Sequence, residues 1–436
     1  MDQDKQSATS SQDNNDFVSA PEISLPKGGG AIRGIGEKFA ANPVTGTGSL
    51  TIPIVTSPGR SGFGPQLSLS YNSGAGNGAF GLGWDLPLPS ITRKTDKGLP
   101  QYQDADVFIL SGAEDLVPVL VETAEGQWEP EIVPAVTFDN VTYSIQRYRP
   151  RIEGLFARIE LWTNITDSKD RLWRSISKDN ITTWYGKTEN SRITNPNDST
   201  QIYSWLICQS HDDKGNVISY EYKSENSDSI NLFQANERNR NSSSRSAQRY
   251  LKRIKYGNIA PYFPNTNAVL PSEWMFETVF DYGEHHDTAP KPDDSGLWDG
   301  RHDPFSSYRS GFEIRTYRLC QRVLMFHHFE NESIGKNCLV RSTDFNYRHQ
   351  QLPEDSKSPI LTVLESAIQC NYKKKLDNSY QKKTLPPVEF EYSKAKIDDQ
   401  IKTIDSDNRE NLPIGVDDSS YVSVYSPHLD KHPQLL

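Results

Sequence analysis

Leu67 to Arg93 reads Leu-Ser-Leu-Ser-Tyr-Asn-Ser-Gly-Ala-Gly-Asn-Gly-Ala-Phe-Gly-Leu-Gly-Trp-Asp-Leu-Pro-Leu-Pro-Ser-Ile-Thr-Arg. Leu67, Leu69 and Tyr71 alternate with polar residues, and Leu50, Ile52 and Ile54 do the same just upstream. A period of two marks strands with one apolar face. About half of the chain's 28 glycines fall between Lys27 and Arg93, so these strands are joined by sharp turns. Gly76, Gly78 and Gly81 satisfy G-x-G-x-x-G. A phosphate-cradling loop of that kind must open a helix, and Gly83, Pro87 and Pro89 forbid one. The stretch therefore predicts hairpin turns and the starting edge of a sheet.

The remainder continues as short alternating segments. Strands are expected around 107–110, 116–121, 156–162, 180–186, 203–208, 250–258, 276–283, 342–347 and 388–392. His211 to Tyr222 predicts a hairpin turning at Lys214-Gly215-Asn216. Phe312 to Phe329 reads as the best strand of the chain, and Ile360 to Cys370 as either a short helix or a strand. Pro261–Glu273 and His285–Ser310 are long loops, a class that is usually functional or interfacial.

Composition narrows the function classes. Of 436 residues only 35% are hydrophobic, yet the chain holds 20 Tyr, 17 Phe and 8 Trp. That inventory suits extended β-structure with wet surfaces, and it is too aromatic for disorder. The net charge of −10 argues against nucleic acid as a partner. Arg238, Arg240, Arg245, Arg249, Lys252 and Arg253 form a local basic cluster, expected to be a solvated loop. The four cysteines are widely separated and suggest neither a metal site nor a disulfide framework. No segment reaches the roughly 18 apolar residues of a membrane span. The N-terminus has no signal-peptide pattern, so synthesis in the cytoplasm and export by another route are expected.

Three places carry residue types that could do chemistry. His285-His286 with Asp287, and His327-His328, could ligate a metal, but neighbours on a strand point to opposite faces. His285 and His286 are instead expected to be solvated. Glu389-Phe-Glu391 has the spacing of a transferase Glu-x-Glu pair, but alternation puts both on one solvent face. No G-x-S-x-G, P-loop or H-E-x-x-H occurs. The expectation is a non-enzyme with no catalytic, cofactor-binding or metal-binding residues.

The runs Leu25–Phe39 ("LPKGGGAIRGIGEKF"), Gly46–Ile54 ("GTGSLTIPI") and Leu67–Arg93 resemble the SpvB-like N-terminal region of the B component of bacterial Tc insecticidal toxin complexes. The run from Tyr282 to Phe329 extends that resemblance over about 400 residues, and the Gly-Asn-x-x-x-Tyr-x-Tyr of Gly215 to Tyr222 resembles a YD repeat of RHS proteins. The resemblance implies a mainly β fold: an extended curved antiparallel sheet forming part of a hollow shell, with few or no helices. It implies a structural virulence role, in which the shell encloses the toxin of a C component for delivery through an A-component channel. The channel would be reached only through a β-propeller. The text after Tyr421 departs from the family's propeller repeats, so a chain that stops before the propeller, and does not dock on the channel by itself, is expected. Residues 1–24 are expected as a disordered tail, 25–400 as the shell domain, and 401–436 as a linker and aberrant tail. The secreted toxin complex is the expected destination. The competing reading is a carbohydrate-binding or glycoside-processing β-protein of the bacterial surface.

Overall fold

The computed structural model describes residues 36–392, apart from 43–45, 113, 265–268, 294–295, 333–334, 350–359 and 376. The expected tails at 1–24 and 401–436 lie outside the described residues. The chain is mainly β, with a single four-residue α-helix at Ser242–Arg245 among the described residues. The fold-class expectation holds, and the sheets have a topology that the alternation alone did not reveal.

The organising element is the long strand Asp198–His211. On one edge it pairs with Arg192–Asn195 and then with Thr182–Tyr185. Its other edge is shared. Ser204, Trp205 and Leu206 pair with Thr92, Ile91 and Ser90, whereas Gln209, Ser210 and His211 pair with Ser219, Ile218 and Val217. The first partner closes a barrel. From Ser90–Arg93 the pairing runs through Phe108–Leu110, Glu114–Pro118, Val141–Pro150, Arg158–Asn164, Arg171–Ile176 and Thr182–Tyr185, and so back to Asp198–His211. The second partner begins an open antiparallel sheet. It runs through Val217–Ser224, Arg249–Asn258, Trp274–Asp281, Arg322–Phe329, Gly335–His349 and Thr362–Lys374. Tyr380–Thr384 and Val388–Glu389 finish it.

Aromatic side chains fill the barrel. Phe108 meets Trp173, Trp205 and Tyr148 edge-on at ring-centre distances of 5.0, 5.8 and 6.0 Å. Edge-to-face contacts suit the ring quadrupoles and bury large apolar areas. The wall is buried on both faces, because Tyr143, Ile145, Trp162, Leu172 and Trp184 form a second cluster behind it. Leu161-Trp162 and Leu172-Trp173 are therefore buried pairs of neighbours, which hides the period of two. Gly186 leaves the barrel strand at φ +66°, and a Cβ there would lie 2.2 Å from Trp205. Only glycine meets both conditions.

The glycine-rich stretch divides between two sheets: only its last strand, Ser90–Arg93, enters the barrel. Lys38–Asn42, Thr47–Ile54, Leu67–Asn72 and Trp84–Asp85 form a small sheet of their own. Ile52, Leu69, Phe80 and Trp84 join one core with Ile254, Phe280, Met325, Phe345 and Leu364 of the open sheet. The two layers are tied by Tyr256 OH to the Ser57 carbonyl at 2.6 Å and by Trp84 Nε1 to Tyr392 OH at 2.7 Å.

One further expectation is corrected, and one left open is decided. Phe312–Phe329 is not one strand: Ile314–Thr316 and Arg322–Phe329 are strands, and Tyr317 to Gln321 crosses between them. No glycine or proline lies between Phe312 and Phe329, so no residue of the run marks the break. Ile360–Cys370 resolves as strand, within Thr362–Lys374. The turn at Lys214-Gly215-Asn216 stands as expected, with Gly215 at φ +85° and Asp212 N–H bonded to the Asn216 carbonyl at 3.1 Å.

The shared edge leaves the Ile207 carbonyl between its two partner strands, and Tyr222 OH donates to it at 2.8 Å. Tyr222→Phe removes that donor alone and is expected to cost about 1–3 kcal/mol. Urea unfolding measures it, with an unchanged near-UV spectrum as the check that the fold survives.

Candidate functional site

Charged side chains concentrate where the two long connections, 225–248 and 282–313, cross the end of the open sheet. Arg318 is fully buried. Its Nε donates to Glu225 Oε1 at 2.8 Å, and its Nη groups reach the carbonyls of Asp228, Trp298, Asp299 and Asn226. The guanidinium lies 4.5 Å from the ring centre of buried Trp298. Beside it, Glu237 receives Arg245 at 3.2 Å, Arg315 at 2.8 Å and the Tyr317 hydroxyl. Five planar donors in a fixed fork suit Arg to a position where several carbonyls converge. This inward demand breaks the long strand at Tyr317 to Gln321: Tyr317 and Arg318 turn in to satisfy buried carboxylates.

A second cluster lies next to it. Asp281, Glu284 and His285 are buried, with ligand atoms within 4.8 Å of one another, the spacing of a cation site. The cation among them belongs to the protein. Lys252 Nζ contacts Glu284 Oε1, donates to the Phe280 carbonyl at 2.6 Å and lies 2.9 Å from His285 Nε2. His285 Nδ1 is 2.8 Å from the Lys291 carbonyl, which fixes Nδ1 as the protonated nitrogen and leaves Nε2 as acceptor for Lys252. Asp281 Oδ2 accepts from Arg322 at 2.7 Å. A divalent ion would have to displace an ammonium already bound by the same groups.

The expected solvation of His285, Arg245 and Lys252 is thus corrected: all three are buried. His286 and Arg238 are exposed. The side-chain partners that bury them, Glu237 for Arg245 and Lys252 for His285, lie 8 and 33 residues away along the chain, so no local pattern announces them. His327 bonds to Ser57 Oγ at 2.7 Å and His328 Nε2 to Glu277 Oε2 at 3.0 Å, so the two rings point apart. Glu389 and Glu391 are both exposed. The Gly76–Gly81 turn is held by the protein's own groups: Arg301 donates to the Gly78 carbonyl and to Asn77 Oδ1, each at 2.8 Å. Asp303 links Asn77 to the Thr362 N–H.

The face of the open sheet away from the small sheet carries charges in register. Glu221 lies opposite Arg253, and Lys255 opposite Glu277. Lys255 reaches Glu221 at 2.8 Å, and Arg253 reaches Glu277 at 3.6 Å. Beside these charges on the same face, Val279, Leu324, Phe326 and Leu339 form a small buried apolar cluster. All four cysteines are buried, and burial pushes each thiol above its ordinary pKa, Cys370 to about 11.

Lys252→Met leaves Glu284 buried without its cation and is expected to cost about 3–5 kcal/mol in denaturant unfolding. The double variant Lys252→Met with Glu284→Gln should recover much of that loss. Burial holds His211 down to about 4, and burial followed by the nearby Lys252 charge also lowers His285. Below about pH 6.5 the unfolded chain takes up protons that the folded chain refuses. Stability should therefore fall as pH drops from about 6.5 toward 4. His211→Gln should flatten that slope in melting curves taken across the window.

Comparison with known proteins completes the description. A family model described as Salmonella virulence plasmid 65kDa B protein matches residues 42–329. Mono(ADP-ribosyl)transferase SpvB of Salmonella choleraesuis strain SC-B67 is 38% identical over 354 residues, covering 79% of this chain and 56% of that protein. The chain thus spans about half the length of the curated relatives it matches. The solved N-terminal domain of effector protein SpvB from Salmonella typhimurium strain LT2 superposes with a TM-score of 0.66 at 37% identity, over 74% of this chain and 98% of that domain. TcdB2-TccC3 superposes with a TM-score of 0.70 at 35% identity, over 86% of this chain and 17% of the other. The Photorhabdus luminescens Tc holotoxin pore gives 0.69 at 35%, over 87% and 17%.

Proposed function

The chain belongs to the SpvB family, and on that premise we propose that it is a structural module of a toxin complex. In this reading it supplies part of the β-shell that encloses the toxin of a C-component partner for delivery through the A-component channel. The observation that carries the reading is the match to TcdB2-TccC3, at 35% identity over 86% of the chain. The internal architecture supports it. The buried ions are engaged with one another, and the open sheet presents a charged lattice on one face, as a wall needs. The relatives named as transferases are matched over 56% of their length, and the solved N-terminal domain of one is covered almost completely by this chain. We therefore assign the chain the scaffold part of the family and no catalysis of its own. Its place of action is the secreted complex.

Co-expression with TccC3, the partner in the matched structure, tests the reading. The expected result is stoichiometric co-purification through gel filtration. A chain that elutes alone at every ratio of the two proteins would sink the shell assignment.

A further inference from the structure

One part of the barrel carries neither core nor countercharge. Leu120–Ala124 and Gln127–Pro130 pair only with each other, as a separate two-stranded ribbon rising from the wall. Every residue in both strands is exposed. Isolated two-stranded ribbons are at best marginally stable in water. This one nevertheless displays large apolar groups, with Trp128 at 59% and Leu120 at 47% exposure. Leu120 lies opposite Pro130 and Glu122 opposite Trp128, so these four share one face. Ile132, where the chain re-enters the wall, is 54% exposed and extends the apolar surface.

Charge says what can cover it. No Lys, Arg or His occurs between Lys97 and Arg147. In the barrel wall the carboxylates of this stretch borrow cations from elsewhere: Asp106 from Arg93, Asp115 from Lys94, Glu131 from Arg147 and Asp139 from Lys187. On the ribbon, Glu122, Glu125 and Glu129 have no ion pair among the described residues. Carboxylates flanking the ribbon, Glu131 at its base among them, are thus paired, whereas the three on the ribbon are open. A second copy of this chain, at net charge −10, a nucleic acid or an anionic membrane would each bring like charge.

We propose that the ribbon 120–130 is a docking prong that seats Trp128 and Leu120 in an apolar slot of a positively charged protein surface, on the shell partner that encloses the toxin. The proposal rests on the shell reading above and names the surface through which that partner is held. Trp is the side chain most enriched at binding hot spots, because it buries a large rigid area at low entropic cost. The three carboxylates of the ribbon, Glu122 beside Trp128 among them, steer encounter with the basic partner and add salt dependence.

The test measures binding of TccC3 to immobilised full chain by surface plasmon resonance at several salt concentrations. The variants are Trp128→Ala, Trp128→Phe, and the triple change Glu122→Lys, Glu125→Lys and Glu129→Lys. Trp128→Ala should raise Kd by about tenfold or more, and Trp128→Phe should restore most of the affinity. The triple change should slow association about tenfold at low salt and flatten its salt dependence. All variants should keep the wild-type melting temperature, since the ribbon packs against no core cluster. Wild-type affinity and salt dependence in both Trp128→Ala and the triple change would overturn the prong while leaving the shell reading intact. Failure of the wild-type chain to bind TccC3 would overturn the shell reading itself, and the prong with it.

Discussion

A strand has two edges, and Asp198–His211 has four partner strands to place on them. The structure solves this by giving half of one edge to the barrel and half to the open sheet. Everything else follows from that division. The barrel can close because Ser90–Arg93 takes the first half, and the sheet can extend because Val217–Ser224 takes the second. The cost is one carbonyl without a ladder partner at Ile207, which a tyrosine hydroxyl from the second sheet supplies. Pairing is thus repaired by a side chain at the point where ladder geometry fails.

The low aliphatic content becomes intelligible in this light. A single wall with layers on both sides needs large rings and long charged chains more than it needs Leu and Ile. Trp and Tyr fill the barrel, and Arg and Lys lie along the sheet with their charges in register. Where the two long connections cross, the interior is ionic. Glu225, Glu237 and Glu284 are each matched by a buried cation, and removal of either partner costs more than the pair contributes. Such a crossing specifies one arrangement of the loops, since any other leaves a charge in an apolar place.

Local order was legible and long-range order was not. The alternation at Leu50–Ile54 and Leu67–Tyr71, and the turn at Lys214–Asn216, announced themselves because their causes lie within a few residues. Closure of the barrel depends on Ser90–Arg93 meeting a strand more than a hundred residues later, which no window of sequence contains. The same limit explains His285 and Lys252. Each looks like a polar residue in a polar neighbourhood, and only the fold brings them 2.9 Å apart. Tyr317 to Gln321 misled for a different reason. Its hydrophobic pattern is that of a strand, but the buried carboxylates of a distant loop set its path. The ribbon at 120–130 could have been noticed in the sequence, as the tip of a stretch without a single cation.

The four cysteines bear on where such a chain can go. Each thiol is buried and held in its neutral form, so the thiolate needed for oxidation or disulfide exchange is scarce and out of reach. No disulfide contributes to the fold among the described residues. A protein built this way has the same covalent structure in a reducing cytoplasm and in an oxidising exterior. A change from one to the other asks nothing of its redox chemistry.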